Sequence, residues 1–309
     1  MRQVTLLGSL DRVDLAAEVE AFGVEGPIAL VTAGWEEGER NDADVDRRLG
    51  GGSRNLNLYG RRLDVLESDP AFAEAQRLLR AQLDGLRDLY LVRVRHALDG
   101  VEVIRRRFAE AGGRPEGELA AAVAAVRTID EAQAAVIGAA YERFYAQYPP
   151  HDRPAIARHR DEVAEIVAGC GAIAIAGGHV GVLNDCLHLC NLSVLIEERP
   201  LLAWSSGCMA ISERIVVVDD DDPAGRPDEV YDVGIGVAHG MVALPAPASR
   251  LHAHDQDRLA VLAQRCAPSV CVVLDAGGRL ELRAGRPADL GSVGIISSDG
   301  RVLRGAQAA

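Results

Sequence analysis

The sequence predicts an α/β fold, a doubly wound and mostly parallel sheet interrupted by a long helical insertion. Three observations lead there. Residues 4–8, 27–32, 172–176 and 200–204 are short, unbroken apolar runs, the pattern of parallel strands buried on both faces. Two of these runs, 172–176 and 200–204, end in small-residue turns about thirty residues apart, which sets them side by side with both turns on one edge. Between the second and third runs lie two helical stretches, each longer than an ordinary crossover between parallel strands.

In chain order, residues 13–22 form a helix between the first two strands. Residues 34–60 are polar and glycine-rich, with Gly50-Gly51-Gly52 among them, and read as a loop over the active edge. From 70 to about 111 the pattern is helical, with Leu78, Leu79, Leu83, Leu86, Leu89 and Val92 on one stripe, until Gly112-Gly113-Arg114-Pro115 breaks it. A second helix runs from about 116 to 148 and stops at Pro149-Pro150, and a third covers 154–168. The final third alternates short strands (215–218, 240–244, 270–274, 279–282, 293–296) with a helix at 257–266. This divides the chain into an α/β domain of residues 1–66 and 152–309 and a helical insertion of 67–151. The leucine stripe is wider than one sheet face needs, so the insertion is expected to form a homodimer.

The most informative stretch is Leu202-Ala203-Trp204-Ser205-Ser206-Gly207-Cys208-Met209-Ala210. An apolar strand runs into a serine and small residues, and a helix-capable segment, 209–214, follows at once. That is the layout of a nucleophile elbow, although Ala203 stands where the first glycine of G-x-S-x-G belongs. The helix N-terminus supplies amide donors for a developing oxyanion. Upstream, Ala176-Gly177-Gly178-His179-Val180 places a glycine pair after a buried strand, where backbone approaches a ligand or a neighbouring loop closely.

These pieces resemble the serine peptidases typified by dipeptidase E and cyanophycinase, which have a class I glutamine amidotransferase-like fold. More closely, they resemble a bacterial branch known only as type 1 glutamine amidotransferase-like proteins. Residues 28–36, 176–183, 203–210 and 212–218, with Arg265-Cys266-Ala267-Pro268, carry the likeness across most of the chain. The family's Ser-Ala-Gly-Ala signature appears here as Ser205-Ser206-Gly207-Cys208. The resemblance implies Ser205 as nucleophile, the Gly178 and Ser206 amides as oxyanion donors, Asp220 as the acidic triad member, and Gly177 and His179 at the substrate. His179 has a second reading, bonding a backbone carbonyl behind its loop. The implied reaction is cleavage of an amide in a small peptide or related metabolite, with no cofactor.

One departure matters most. The family's histidine follows a Leu-Pro pair, and here Leu244-Pro245 is followed by Ala246. An unassisted serine hydroxyl is a weak nucleophile. His239, in Ala238-His239-Gly240, ranks first as replacement base, ahead of His252 and His254. The competing expectation is a catalytically silent relative, a pseudoenzyme that binds a ligand or partner through the same pocket.

Composition agrees with a folded enzyme-sized chain: 309 residues, 48% apolar, net charge −13. The acidic balance argues against nucleic acid, no apolar run approaches membrane-spanning length, and a cytoplasmic location is expected. The six cysteines form no disulfide framework. Cys186 and Cys190, one helical turn apart with His188 between, read as core positions and not as metal ligands. Cys208 reads as packing inside the helix after the elbow. The run Asp219-Asp220-Asp221-Asp222 reads as a solvated loop with Asp220 alone pointing inward.

Overall fold

The computed structural model describes residues 3–110, 112, 116–197, 199–219, 222–223, 225–245, 251–290 and 292–304. The chain begins with β1 (Val4–Leu7), α1 (Leu15–Glu20), β2 (Ile28–Val31), α2 (Ala43–Arg48), β3 (Arg54–Asn55), α3 (Leu58–Ser68), α4 (Pro70–Glu110), α5 (Glu116–Gln147) and α6 (Pro154–Ala168). Next come β4 (Ala172–Ile175), α7 (Val180–Leu189), α8 (Leu192–Ile196), β5 (Leu201–Trp204) and α9 (Ser206–Ala210). The last third holds β6 (Arg214–Val217), β7 (Glu229–Val233), β8 (Met241–Pro245), α10 (Gln256–Cys266) and β9 (Val270–Leu274). It closes with β10 (Arg279–Arg283), β11 (Arg286–Asp289), β12 (Gly294–Ile296) and β13 (Val302–Arg304).

The main sheet has the order β11-β10-β1-β5-β4-β2-β3. Strands β1 to β5 in it are parallel, and β10 and β11 add an antiparallel edge. β1, β2, β4 and β5 are buried along their whole length, which is why they are apolar at every position. Alternate side chains serve opposite faces. Leu7, Leu30, Ala174 and Leu202 pack with Leu15 of α1 and Val45 of α2. Leu6, Val31, Ile175 and Ala203 pack with Leu58 of α3, Val163 of α6 and Leu183 of α7. Helices therefore cover both faces of the sheet.

Two expectations need correction. Residues 34–60 are no open loop. They form a short 3-10 turn (Ala33–Gly38), α2 and β3. Their polar side chains are turn fasteners: Asn55 Nδ2 donates to Thr32 Oγ1, to the Glu39 carbonyl and to Asp42. The buried Glu39 carboxylate accepts the Tyr59 and Gly60 amides at the start of α3. Burial raises the Glu39 pKa in spite of those bonds. The second correction concerns the leucine stripe. Leu79 and Leu83 are buried, whereas Leu78, Leu89 and Val92 face solvent. Six residues so closely spaced cover more than one side of a helix turning 100° per residue.

The two long helices lie along the C-terminal strands. Tyr90 of α4 and Val126 of α5 share a core with Val230 of β7, Val242 of β8 and Val273 of β9. A buried ion pair fastens this contact: Arg265 of α10 reaches Asp130 of α5 at 2.9 Å, and the Tyr90 hydroxyl donates to the same carboxylate at 2.7 Å. Among the described residues no helix is long and apolar enough to cross a membrane, and no cluster of side chains could hold a metal ion.

Candidate active site

Register fixes the edge on which the turns collect. Leu7 of β1 lies opposite Trp204 of β5, Ala203 opposite Ile175 of β4, and Ile175 opposite Val31 of β2. The residues that follow, Gly8, Ser205, Gly177 and Ala33, therefore leave the sheet along its carboxyl edge, where ligands of such sheets bind.

Ser205 sits between β5 and α9 with φ 54° and ψ −136°. A side chain rarely adopts this conformation, and holding it costs on the order of 1–3 kcal/mol. The turn is tight because strand and helix meet there with no linking residue but Ser205. Helix α9 begins at Ser206, three residues earlier than the sequence pattern suggested. Its Gly207 lies against the end of β4, where a Cβ would come within 2.6 Å of the Ile175 carbonyl oxygen.

The glycine pair faces this turn. A Cβ on Gly177 would stand 2.5 Å from both Cβ and Oγ of Ser205 and 3.0 Å from the Ser206 nitrogen. Standard bond lengths then bring the Gly177 Cα within about 4 Å of Ser205 Oγ, and the Gly178 nitrogen within about 6.5 Å. Gly178 has φ 121°, and a Cβ on it would meet the Gly34 oxygen at 2.3 Å. The carbonyl of Gly178 is held by the Ser206 hydroxyl at 2.7 Å, and the His179 amide donates to the Gly34 oxygen at 2.7 Å. Among the described residues neither the Gly178 nor the Ser206 N–H donates a hydrogen bond, and the Ser205 hydroxyl makes none. Two unengaged amides and an unengaged hydroxyl thus meet at one edge, the parts that carbonyl attack and oxyanion stabilisation require.

The histidines fall elsewhere. His179 is exposed and caps α7, its Nδ1 accepting the Val182 amide at 3.2 Å rather than bonding a carbonyl. The neutral ring then carries its proton on Nε2, so it can donate to a ligand but has no free lone pair to take a proton from Ser205. His239 is not at this edge, which corrects its placement as base. Its amide donates to the Gly285 oxygen at 2.6 Å, and its Nδ1 approaches Glu213 at 3.4 Å. Gly285 lies in the β10–β11 hairpin, three residues beyond Leu282, which pairs with Val4 at the amino end of β1. Val4 to Leu7 alone spans about 10 Å, so the imidazole and Ser205 occupy opposite edges. The pattern could not reveal this, because His239 precedes the strand whose far end points at the site. His252 and His254 stack on each other at 5.4 Å. Asp220 and Ala246 lie outside the described residues.

All six thiols are buried, and burial holds those of Cys208, Cys190 and Cys186 protonated. Cys208 is fully buried in α9, its Sγ directed at the Ala203 oxygen, and burial pushes its pKa up to about 12. Burial likewise pushes Cys190 up to about 12 and raises Cys186.

Sequence reasoning missed two features of the surroundings. Glu36, on the loop after β2, is half-buried and has φ 55° and ψ −123°, nearly the Ser205 conformation; nothing in its residue type signals this. Tyr231 of β7 reaches α7 beside His179. A Cβ on Gly181 would stand 2.5 Å from the Tyr231 hydroxyl and 3.3 Å from His179 Cε1. The bare surface of α7 at Gly181 was the available signal. No protein-family model matches the chain, and no curated protein matches it.

Proposed function

We propose that this chain is a serine hydrolase related to dipeptidase E and cyanophycinase, with a class I glutamine amidotransferase-like core, that cleaves an amide bond in a small peptide or related metabolite. Ser205 attacks the amide carbonyl, and the Gly178 and Ser206 amides receive the resulting oxyanion. The Nε2–H of His179 contacts the substrate. No cofactor enters the scheme. The carrying observation is the backbone of Ser205, φ 54° at a strand-to-helix junction facing two unengaged amides. Glycine would hold such a turn without strain, so the retained side chain points to use of its hydroxyl.

A second reading has its own observation. No described histidine bonds Ser205, His239 is on the far edge, and position 246 holds alanine. That favours a silent relative that binds a carbonyl-bearing ligand without turning it over. Labelling with a fluorophosphonate, mapped by peptide mass, separates the two. The hydrolase reading expects modification at Ser205 that is lost in Ser205→Ala; an unlabelled, folded wild type favours the silent relative.

A further inference from the structure

The outer face of α4 is bare. Leu78, Leu89, Val92 and Val103 are 55%, 67%, 57% and 38% exposed. At 100° per residue all four fall within a sector of about 60°, and their span of 25 residues is about 38 Å long. The spacings are eleven, three and eleven residues. Eleven residues make three turns plus about 20°, so the stripe stays in line on a straight helix. Glu74, Gln82, Gly85, His96 and Arg107 share the face and are also exposed. Four apolar side chains in line on one exposed face, interleaved with polar and charged ones, make a mixed surface suited to burial against a partner.

The charges around the stripe say what covers it. We propose that α4 pairs antiparallel with α4 of a second copy of this chain, about a two-fold axis passing midway between Tyr90 and Leu91. In this register Leu78 lies beside the partner's Val103, and Leu89 beside the partner's Val92. Both ends close with opposite charges, Glu74 beside the partner's Arg107. On the flank, Asp84 and Asp88 are one turn apart and straddle the partner's Arg95. All five charged groups are on the surface or at its margin; Glu74 also pairs with Arg77 on its own helix and Arg95 donates to the Gly225 carbonyl at 3.3 Å, whereas Arg107, Asp84 and Asp88 form no ion pair among the described residues. A parallel pairing would instead set Glu74 on Glu74, Arg95 on Arg95 and Arg107 on Arg107. Self-complementarity of one patch is what a two-fold dimer requires. The inner face of α4 is already occupied by α5 and the C-terminal strands, so the outer one is free for this contact.

Sedimentation equilibrium on the full chain, with circular dichroism as the folding control, tests the pairing. A dimer is expected at roughly ten micromolar. Leu89→Asp should weaken it at least about a hundredfold with helicity unchanged, since the position is exposed and lies next to the axis. Glu74→Arg and Arg107→Glu should each weaken it roughly tenfold, and the doubly reversed variant should regain most of that loss. A monomeric wild type overturns the proposal. A dimer indifferent to Leu89→Asp overturns the choice of face, and failure of the double reversal to recover overturns the antiparallel register.

Discussion

Gly177 and Ser205 share a space that admits no third side chain: a Cβ on Gly177 would stand 2.5 Å from Ser205 Oγ. The glycine fixes where the hydroxyl lies relative to the Gly178 amide, so one contact couples the packing of two strands to the geometry of the site. Gly177→Ala should therefore destabilise by about 1–3 kcal/mol through overpacking and abolish labelling of Ser205. Gly138 in α5 is the control, because a Cβ there meets nothing within 4 Å. Gly138→Ala should stabilise by about 0.5–1 kcal/mol. Urea denaturation measures both, and a neutral Gly177→Ala would mean that the turn yields more easily than its contacts indicate.

The strain at Ser205 makes a separate prediction. Alanine keeps the φ of 54° under the same steric penalty, and glycine removes it. Ser205→Gly should be more stable than Ser205→Ala by about 1 kcal/mol, with labelling lost in both. Equal stabilities would show that the surrounding contacts, not a strained backbone, set the turn.

Those two residues also show how far the sequence could be read. The apolar runs of β1, β2, β4 and β5 and the order of their turns were legible because burial on both faces leaves no choice of side chain. Ser205, Gly177 and Gly178 were legible because a crowded backbone crossing requires small residues. Three-dimensional partners were not. Nothing local tells that the loop carrying His239 is stitched to Gly285, or that Glu36 takes a left-handed conformation. The split of the α4 leucines was hidden for another reason. A helix with a second apolar face violates the single-stripe pattern by which a core face is recognised.

The joint between α5 and α10 is closed by a buried ion pair. Asp130 and Arg265 are both buried, and the carboxylate also accepts the Tyr90 hydroxyl. Asp130→Ala strands the guanidinium without a counter-charge, which costs about 3–5 kcal/mol when one partner of a buried pair is lost. Chemical denaturation should show a loss of that order. A change below about 1 kcal/mol would mean that Arg265 finds water or the Asp228 carbonyl sufficient.

His188 predicts acid sensitivity. It is enclosed between Tyr141, whose ring lies 5.3 Å away, and the Val233 carbonyl, and burial lowers its pKa below the usual 6.5. The lowered value means the unfolded chain binds the proton more readily than the folded one. The stabilisation due to neutral His188 is therefore present above about pH 6.5 and is lost as pH falls toward the folded pKa. Between about pH 7.5 and 5.5 the wild type should lose more Tm than His188→Gln. Parallel pH profiles for the two proteins would assign acid sensitivity to other groups.

The decisive chemical test restores a base. β8 ends at Pro245, paired with Leu274 of β9. A Cβ on Gly8, at the carboxyl end of β1, would come within 2.9 Å of the Leu274 oxygen, so β8 ends on the same edge as Ser205. Its opposite end begins just after His239, which is why that histidine is remote. Ala246→His puts an imidazole immediately after Pro245, the place of the histidine in the peptidases that the sequence resembles. A base in reach of the hydroxyl contributes about 10²–10⁴-fold, so the rate of fluorophosphonate labelling should rise by at least about a hundredfold. The gain should follow deprotonation of the imidazole, growing as pH rises through about 6.5, and should vanish when Ser205→Ala is added. A wild type that resists the label beside an Ala246→His variant that takes it identifies a silent relative with an intact nucleophile. Labelling of neither, with both proteins folded, would remove Ser205 from the chemistry.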